Sequence, residues 1–189
     1  MASLADELGY RHRRPNLAQR AVRRFASSRV GARLFSAIAP RVDRALARVA
    51  GGRTVAEVAA GLPTVLVTTT GARTGRARTT PLAAIPDGDA LALVGTNFGG
   101  PRAPAWYANL RAHPDAEVRY RGRTVRVRAR AATAAEHARV MATAKRVYAG
   151  YAAYERRITD RTIPVLLLER GPVGGPAVGP PGPGDRTGG

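Results

Sequence analysis

The sequence predicts a mainly β fold of the α+β class, a small antiparallel barrel or half-open sheet with helices before it and a disordered tail after it. Five or six short segments of the 189-residue chain are rich in β-branched residues or alternate apolar with polar ones. Turn signals rich in glycine and proline join most of these segments as hairpins. Helices do not alternate regularly with them, which excludes a doubly wound parallel sheet.

The amino-terminal quarter is predicted to be helical and basic rather than part of the sheet. Residues 1–15 are expected to form a flexible polar lead, and residues 16–52 a basic amphipathic helical segment. The apolar residues of that segment recur at helical spacing, as in Val42, Ala45, Leu46 and Val49. Two interpretations stay open: the segment lies on an anionic membrane, or it caps the core and turns its arginines to solvent.

The barrel domain is predicted over residues 53–170. Its strands are expected at 64–70, 77–86, 90–96, 116–120, 124–131 and 163–168. A short helix is expected at 104–112, between the third and fourth strands. Pro164, near the start of the last strand, indicates either a strand start or an edge strand.

A longer helix is predicted after the last hairpin of the domain. It begins after Thr133, where Glu136 completes a capping box, and it ends near Gly150. Residues 171–189 are rich in glycine and proline and too poor in apolar residues to fold, so a disordered tail is expected.

The composition limits the chemistry that the chain can carry. Cysteine is absent, which excludes disulfides, thiolate metal sites and cysteine nucleophiles. The three histidines are far apart in the chain, so no metal site is expected. All four serines precede residue 40, which argues against a Ser/His/Asp triad. If the chain is an enzyme, a bound cofactor must therefore carry the reactive chemistry.

The charge balance points to an anionic partner. The formal net charge is +18, and Lys145 is the only lysine among 31 basic residues. This arginine usage is typical of GC-rich coding as much as of selection for polyanions, and no nucleic-acid-binding motif is present, so we expect no nucleic acid partner. No secretory signal and no apolar stretch of membrane-spanning length is visible. A cytoplasmic location is predicted, with peripheral contact at the inner face of the membrane left open.

The first candidate site is the segment TTTGARTGRARTTP at residues 68–81. Its two glycines, at positions 71 and 75, allow backbone N–H groups to converge on an anion. Fork-shaped cationic donors come from three arginines, Arg73, Arg76 and Arg78. The segment lacks the lysine of a Walker A loop and the following helix of a dinucleotide-binding fingerprint. A merely solvated loop is the alternative.

The second candidate site is a group of tyrosines at a spacing of three, Tyr148, Tyr151 and Tyr154. On a helix this spacing keeps the rings near one face, where they can wall an aromatic pocket and offer phenol donors. Ordinary core packing is the alternative.

Three separated blocks carry a resemblance to a known family. They are TTTGARTGRARTTPL, TNFGGPRAPAWYANLRAHP and VYAGYAAYERRITDRTIPVLLLER. Together they resemble the deazaflavin-dependent nitroreductase family of actinobacterial oxidoreductases, over about residues 40–170. The resemblance implies a split β-barrel similar to FMN-binding barrels and coenzyme F420, an 8-hydroxy-5-deazaflavin, as cofactor. It also implies hydride transfer from C5 of reduced F420 to an electron-poor small molecule such as a quinone, an activated alkene or a nitro compound.

The same resemblance implies roles for individual residues. The implied cofactor-binding residues are Arg73, Thr74, Gly75, Arg76, Arg78, Thr80, Pro81, Thr96, Asn97, Phe98, Gly99, Trp106 and Asn109. The implied catalytic residues line the substrate side, and one of them donates or orients a proton; they are Tyr148, Tyr151 and Tyr154. F420 carries a phosphodiester and an oligoglutamate tail, which suits a groove lined with arginine.

The sequence departs from the family pattern near the substrate. Ala83 stands where the nitroimidazole-reducing enzyme of the family has an active-site tyrosine, so nitroimidazole reduction is not implied. Thr96 and Asn97 replace a serine and a lysine of that enzyme. The alternative function is a non-catalytic split-barrel carrier of a lipid, haem or flavin. A homodimer is expected by analogy with other split barrels.

Overall fold

A computed structural model describes residues 2–12, 15–28, 30–31 and 61–172. Its helices are α1 Leu4–Leu8, α2 Leu17–Ser27, α3 Ala105–Ala112, α4 Ala134–Val147 and α5 Gly150–Glu155. Its strands are β1 Val65–Thr70, β2 Ala77–Leu82, β3 Ala84–Asp87, β4 Ala90–Val94, β5 Asp115–Tyr120, β6 Arg123–Ala131 and β7 Val165–Arg170. A single 3-10 turn spans Asn97–Gly99.

The seven strands form one antiparallel sheet in the order β2-β1-β5-β6-β7-β4-β3. The two edge strands, β2 and β3, follow each other in the chain and are separated only by Ala83. Since one residue spans at most about 7 Å between its neighbours' Cα atoms, the two edges of the sheet must lie side by side. The sheet is therefore curled into a split barrel, which confirms the predicted fold class.

The barrel is filled by the apolar residues that face inward from the strands. Val67 of β1, Leu93 of β4 and Leu168 of β7 have no exposed surface, and burying a side chain of this size contributes about 1.5–3 kcal/mol. Trp106 and Leu110 of α3 belong to the same cluster. We call this set, which includes residues of every strand except β2, the inner cluster.

An amino-terminal arm, residues 2–12, closes one part of the inner cluster. Leu4 and Leu8, one turn apart on α1, are 0% and 2% exposed. The hydroxyl of Tyr10 lies 2.8 Å from the carbonyl oxygen of Pro63 and accepts a hydrogen bond from the N–H of Ala84 at 3.1 Å. The prediction of a flexible polar lead is therefore wrong for these residues, because their apolar side chains find burial sites far away in sequence.

A second cluster covers the opposite face of β3, β4 and β7. Ala92 and Leu167 of the sheet pack there with Val140 and Met141 of α4. Val22 of α2 packs against the same set. We call it the outer cluster, and it also contains the three tyrosines of the second candidate site.

Local signals predicted most element positions correctly. The helix α4 begins after Thr133, whose side chain accepts from the N–H of Glu136, and the capping box is complete. The predicted strand at 77–86 is wrong as one element, because it breaks at Ala83 into two strands with different partners. Pro164 does precede a strand, but β7 lies between β6 and β4, so the edge-strand interpretation is wrong.

Two predictions fall wholly or partly outside the described residues. Within the helical segment predicted at 16–52, α2 is confirmed, and residues 32–52 are not described. The predicted disordered tail is described only at Gly171 and Pro172. No helix in the described part of the chain is long and apolar enough to cross a membrane.

Candidate cofactor site

The loop between β1 and β2 is closed by hydrogen bonds within itself. The N–H of Gly71 donates to the carbonyl oxygen of Arg76 at 2.8 Å. The N–H of Gly75 donates to the carbonyl oxygen of Gly71, also at 2.8 Å. The N–H of Thr74 also donates to Gly71, at 3.2 Å. The sequence predicted that N–H groups of this loop converge on an anion. The N–H groups of Gly71, Thr74 and Gly75 instead donate to carbonyl oxygens within the loop. Any anion must be held mainly by side chains.

Asn109 of α3 fixes this loop to the body of the protein. Its Oδ1 accepts from the N–H of Ala72 at 3.0 Å, and its Nδ2 donates to Oγ1 of Thr69 at 3.0 Å. Thr69 is fully buried, and its hydroxyl donates in turn to the carbonyl oxygen of Arg78 at 3.3 Å. The amide of Asn109 thus positions the loop.

The side chains of the loop are open to solvent. Arg73, Thr74 and Arg76 are exposed, and Gly75 has a left-handed φ of 64° with no atom within 4 Å of the place where a Cβ would stand. Guanidinium forks match the geometry of phosphate and carboxylate groups. An exposed arginine loop on a fixed base therefore fits a cofactor with a phosphodiester and an acidic tail.

The register of β2 divides the residues that follow the loop between two faces. Arg78 and Thr80 lie opposite Thr69 and Val67 of β1, on the barrel's inner face. Pro81 lies opposite Leu66, on the other face. Since neighbouring strand residues point to opposite faces, Thr80 and Pro81 lie on different faces of β2, and their contact with the cofactor stays a prediction.

The turn after β4 carries the next group of predicted site residues. Thr96 is buried, whereas Asn97 and Phe98 are exposed. Asn97, Phe98 and Gly99 have consecutive left-handed φ values of 46°, 56° and 82°. For residues other than glycine such a conformation costs on the order of 1–3 kcal/mol each, and it persists only where the surroundings impose it. The ring of Phe98 packs edge-on against that of Tyr154, with centroids 6.2 Å apart.

The three predicted tyrosines lie together, although Tyr148 lies at the carboxyl end of α4 and the other two on α5. Their ring centroids are 6.0–6.5 Å apart, and each residue is less than 9% exposed. Burial raises the pKa of all three phenols, so they stay neutral donors at ordinary pH. Ala83, at the position of the family tyrosine, packs against the same outer cluster.

The helix α2 covers the tyrosines. The hydroxyls of Tyr148 and Tyr154 lie 3.3 Å apart, and they donate to the carbonyl oxygens of Arg23 at 3.4 Å and of Ala26 at 3.3 Å. Arg23 anchors α2 by donating to the carbonyl oxygens of Val147 and Gly61, each at 2.9 Å. Arg23 was not among the predicted site residues, because its partners are 38 and 124 residues away in sequence.

Trp106 is buried in the core, unlike most of the predicted cofactor-binding residues. It is 6% exposed and belongs to the inner cluster, where its ring packs edge-on against that of Tyr107 at 6.4 Å. Its packing fixes α3 and thereby Asn109. A direct contact of Trp106 with the cofactor stays a prediction.

The split barrel, the exposed arginine loop and the tyrosine group fit a cofactor-binding barrel of the oxidoreductase class, and comparison with known proteins assigns the family. The family model "F420H(2)-dependent quinone reductase" matches residues 39–170. An F420H(2)-dependent quinone reductase of Mycobacterium tuberculosis is 34% identical over 152 residues, which cover 79% of this chain and 98% of the relative. A putative F420H(2)-dependent quinone reductase of Mycobacterium bovis matches at the same identity and coverage.

Two solved structures are also similar. One is described as an F420-H2 dependent reductase (FDR-A); it has 35% sequence identity and a TM-score of 0.52, with 57% of this chain and 94% of that chain covered. The other is described as a domain-swapped dimer, with 31% identity, a TM-score of 0.54, and 69% and 98% of the two chains covered.

This chain belongs to the F420H(2)-dependent quinone reductase family. It is an F420H2-dependent oxidoreductase, and its cofactor is coenzyme F420. The resemblance drawn from the three sequence blocks is confirmed.

Proposed function

We propose that this chain reduces a quinone with F420H2, using the arginine loop to hold the cofactor's acidic groups and the tyrosine group to line the acceptor side. When bound, F420H2 supplies the hydride. The observation that carries the proposal is the exposed loop bearing Arg73 and Arg76, fixed to the barrel by the amide of Asn109. A loop that only meets solvent has no need of a buried anchor such as Thr69.

The protein's own contribution is to bind, orient and exclude water. Arg73, Arg76 and Arg78 bind phosphate and carboxylate groups, while Thr96 and Asn97 of the turn after β4 orient the ring system. The neutral phenol of Tyr148 or Tyr154 holds the proton that the reduced acceptor receives, and in this role its hydroxyl exchanges the carbonyl oxygen on α2 for the acceptor molecule. No carboxylate or histidine is required for that step.

The proposed activity is tested by mixing the protein with F420H2 and a soluble quinone analogue. The visible absorbance of oxidised F420 is expected to appear at a rate proportional to enzyme concentration. Omitting the quinone or heat-unfolding the protein should abolish it. Tight F420 binding without turnover on any quinone, activated alkene or nitro compound would instead indicate a carrier.

Tyr148→Phe removes one phenol and keeps the ring. Turnover is expected to fall about tenfold or more, because this hydroxyl is proposed to donate the proton and general-acid groups commonly contribute at least that factor. The F420 dissociation constant should stay within about twofold, because the arginine loop is untouched. The matched control is Tyr107→Phe, which removes a half-exposed hydroxyl on α3. Equal turnover in the two variants would remove Tyr148 from the mechanism.

We further propose that α2 contacts an anionic membrane surface. Leu17 and Phe25 on this helix are 81% and 49% exposed, and Arg20 and Arg24 lie beside them. A helix with exposed apolar residues flanked by arginines is typical of interfacial binding. Vesicles of anionic lipid should co-sediment with the protein, and vesicles of zwitterionic lipid should not. A Leu17→Ser/Phe25→Ser double variant that binds the anionic vesicles equally well contradicts this role.

We also propose that two copies form a homodimer, as one structural neighbour is described as domain-swapped. The arm at residues 2–12 is an element suited to exchange, because Tyr10 contacts partners 53 and 74 residues away. Light scattering that gives a monomer mass at every concentration would contradict the dimer.

A further inference from the structure

The turn at residues 95–100 is held in an unfavourable conformation without adding to the core. Two of the three non-glycine residues with left-handed φ in the described part of the chain are Asn97 and Phe98. Both are exposed, and neither belongs to the inner or the outer cluster. Strain that does not stabilise the fold is typical of a segment kept in place for binding.

One guanidinium ties the two ends of this turn together. Nη1 of Arg161 donates to the carbonyl oxygen of Gly95 at 3.2 Å. Its Nη2 donates to the carbonyl oxygens of Thr96 at 3.2 Å and of Gly100 at 3.1 Å. These acceptors lie on both sides of the left-handed residues, so the planar fork of Arg161 fixes the span that the turn must close.

The surroundings of Arg161 are costly for a cation. Its Nε is buried with no hydrogen-bond partner among the described residues, and burial lowers the pKa of the group. A buried donor without an acceptor is unfavourable, so it offsets part of the stabilisation from the three hydrogen bonds of the same guanidinium. The hydrogen bonds of Arg161 hold the turn in one conformation, in which the ring of Phe98 packs against that of Tyr154.

We propose that Arg161 is a positioning residue for F420 binding, acting through the turn that it ties. It presents Thr96, Asn97 and the Phe98 backbone in one geometry before the cofactor arrives, which lowers the ordering cost of binding. The inference rests on the proposed function, in which this turn orients the cofactor's ring system. It assigns Arg161 no contact with the cofactor or the acceptor.

The test compares F420 dissociation constants, measured by coenzyme fluorescence, with urea unfolding midpoints for the full chain. Arg161→Ala is expected to weaken F420 binding about tenfold, because the turn must then be ordered when the cofactor binds. Arg161→Lys keeps the charge but not the fork, so most of the loss should remain. Arg156→Ala is the matched control, because Arg156 is exposed and only five residues away.

Adding millimolar methylguanidinium tests whether the guanidinium itself positions the turn, because a variant that is only less stable would not regain F420 affinity. It should restore F420 affinity in Arg161→Ala, with sodium chloride at equal concentration having no effect. It should not restore affinity in Arg161→Lys, whose side chain occupies the space. Wild-type protein that fails to bind F420 overturns the proposed function and this inference with it. Wild-type protein that binds F420 while Arg161→Ala binds it equally, or loses affinity without rescue, overturns the inference alone.

Discussion

Arg73→Ala is expected to weaken F420 binding about tenfold to a hundredfold, the range given by losing hydrogen bonds between a guanidinium and an anionic group. Arg73 is exposed on a loop whose own N–H groups are mostly used internally. Its side chain is therefore one of the few donors that the loop can offer. The measurement is an F420 fluorescence titration at two salt concentrations, and the difference from wild type should shrink as salt screens the pair.

The control for Arg73→Ala is Arg119→Ala, which also removes an exposed positive charge. Arg119 lies on β5 three residues beyond Ala116, the residue that pairs with Thr69 near the loop. Binding should change less than about twofold in this control, since an exposed charge at that distance is largely screened. If both variants weaken binding alike, the net charge of +18 acts as a diffuse field and the loop has no specific role.

The parts of the fold that the sequence predicted well depend on neighbours in the chain. The start of α4 follows from Thr133 and Glu136, which are three residues apart and cap each other. The β3–β4 hairpin follows from Asp87 and Gly88, where Gly88 adopts a left-handed φ of 59° that glycine accommodates without strain. In both cases the information and the contact are local.

The parts that sequence reasoning missed depend on barrel closure. The run at 77–86 has uniform strand character, so nothing in it marks Ala83 as the point where one edge of the sheet passes to the other. Tyr10 is a single aromatic residue in a charged context, and its partners Pro63 and Ala84 are defined only once the sheet has curled. Burial at such positions is set by contacts distant in sequence, which no periodicity records.

The candidate site divides in the same way. The arginine loop and the three tyrosines stand out as local clusters, and the resemblance to a family assigned them roles. The residues that hold these clusters, Thr69, Arg23 and Arg161, are single residues of common types with no local pattern around them. Their function is visible only from the carbonyl oxygens and amides that they reach across the fold.

Asn109→Ala is expected to loosen the arginine loop and to weaken F420 binding about tenfold. The reason is that ordering the loop then reduces the free energy gained when the cofactor binds. The variant leaves the N–H of Ala72 without its partner and removes one of the two hydrogen bonds of the Thr69 hydroxyl. Losing these bonds should lower the free energy of unfolding by about 1–3 kcal/mol, measured by urea denaturation. The variant keeps every arginine of the loop, so the weaker F420 binding would come from their changed positions and not from a lost charge.

Thr69→Val separates this positioning effect from general damage, since valine keeps the shape of threonine and lacks the hydroxyl. Alone it should weaken F420 binding less than Asn109→Ala, because Asn109 still accepts from Ala72. Combined with Asn109→Ala it should add little, since both changes break the same link between α3 and β1. Fully additive losses in the double-mutant cycle would mean that the two residues affect F420 binding independently, which contradicts positioning through their hydrogen bond.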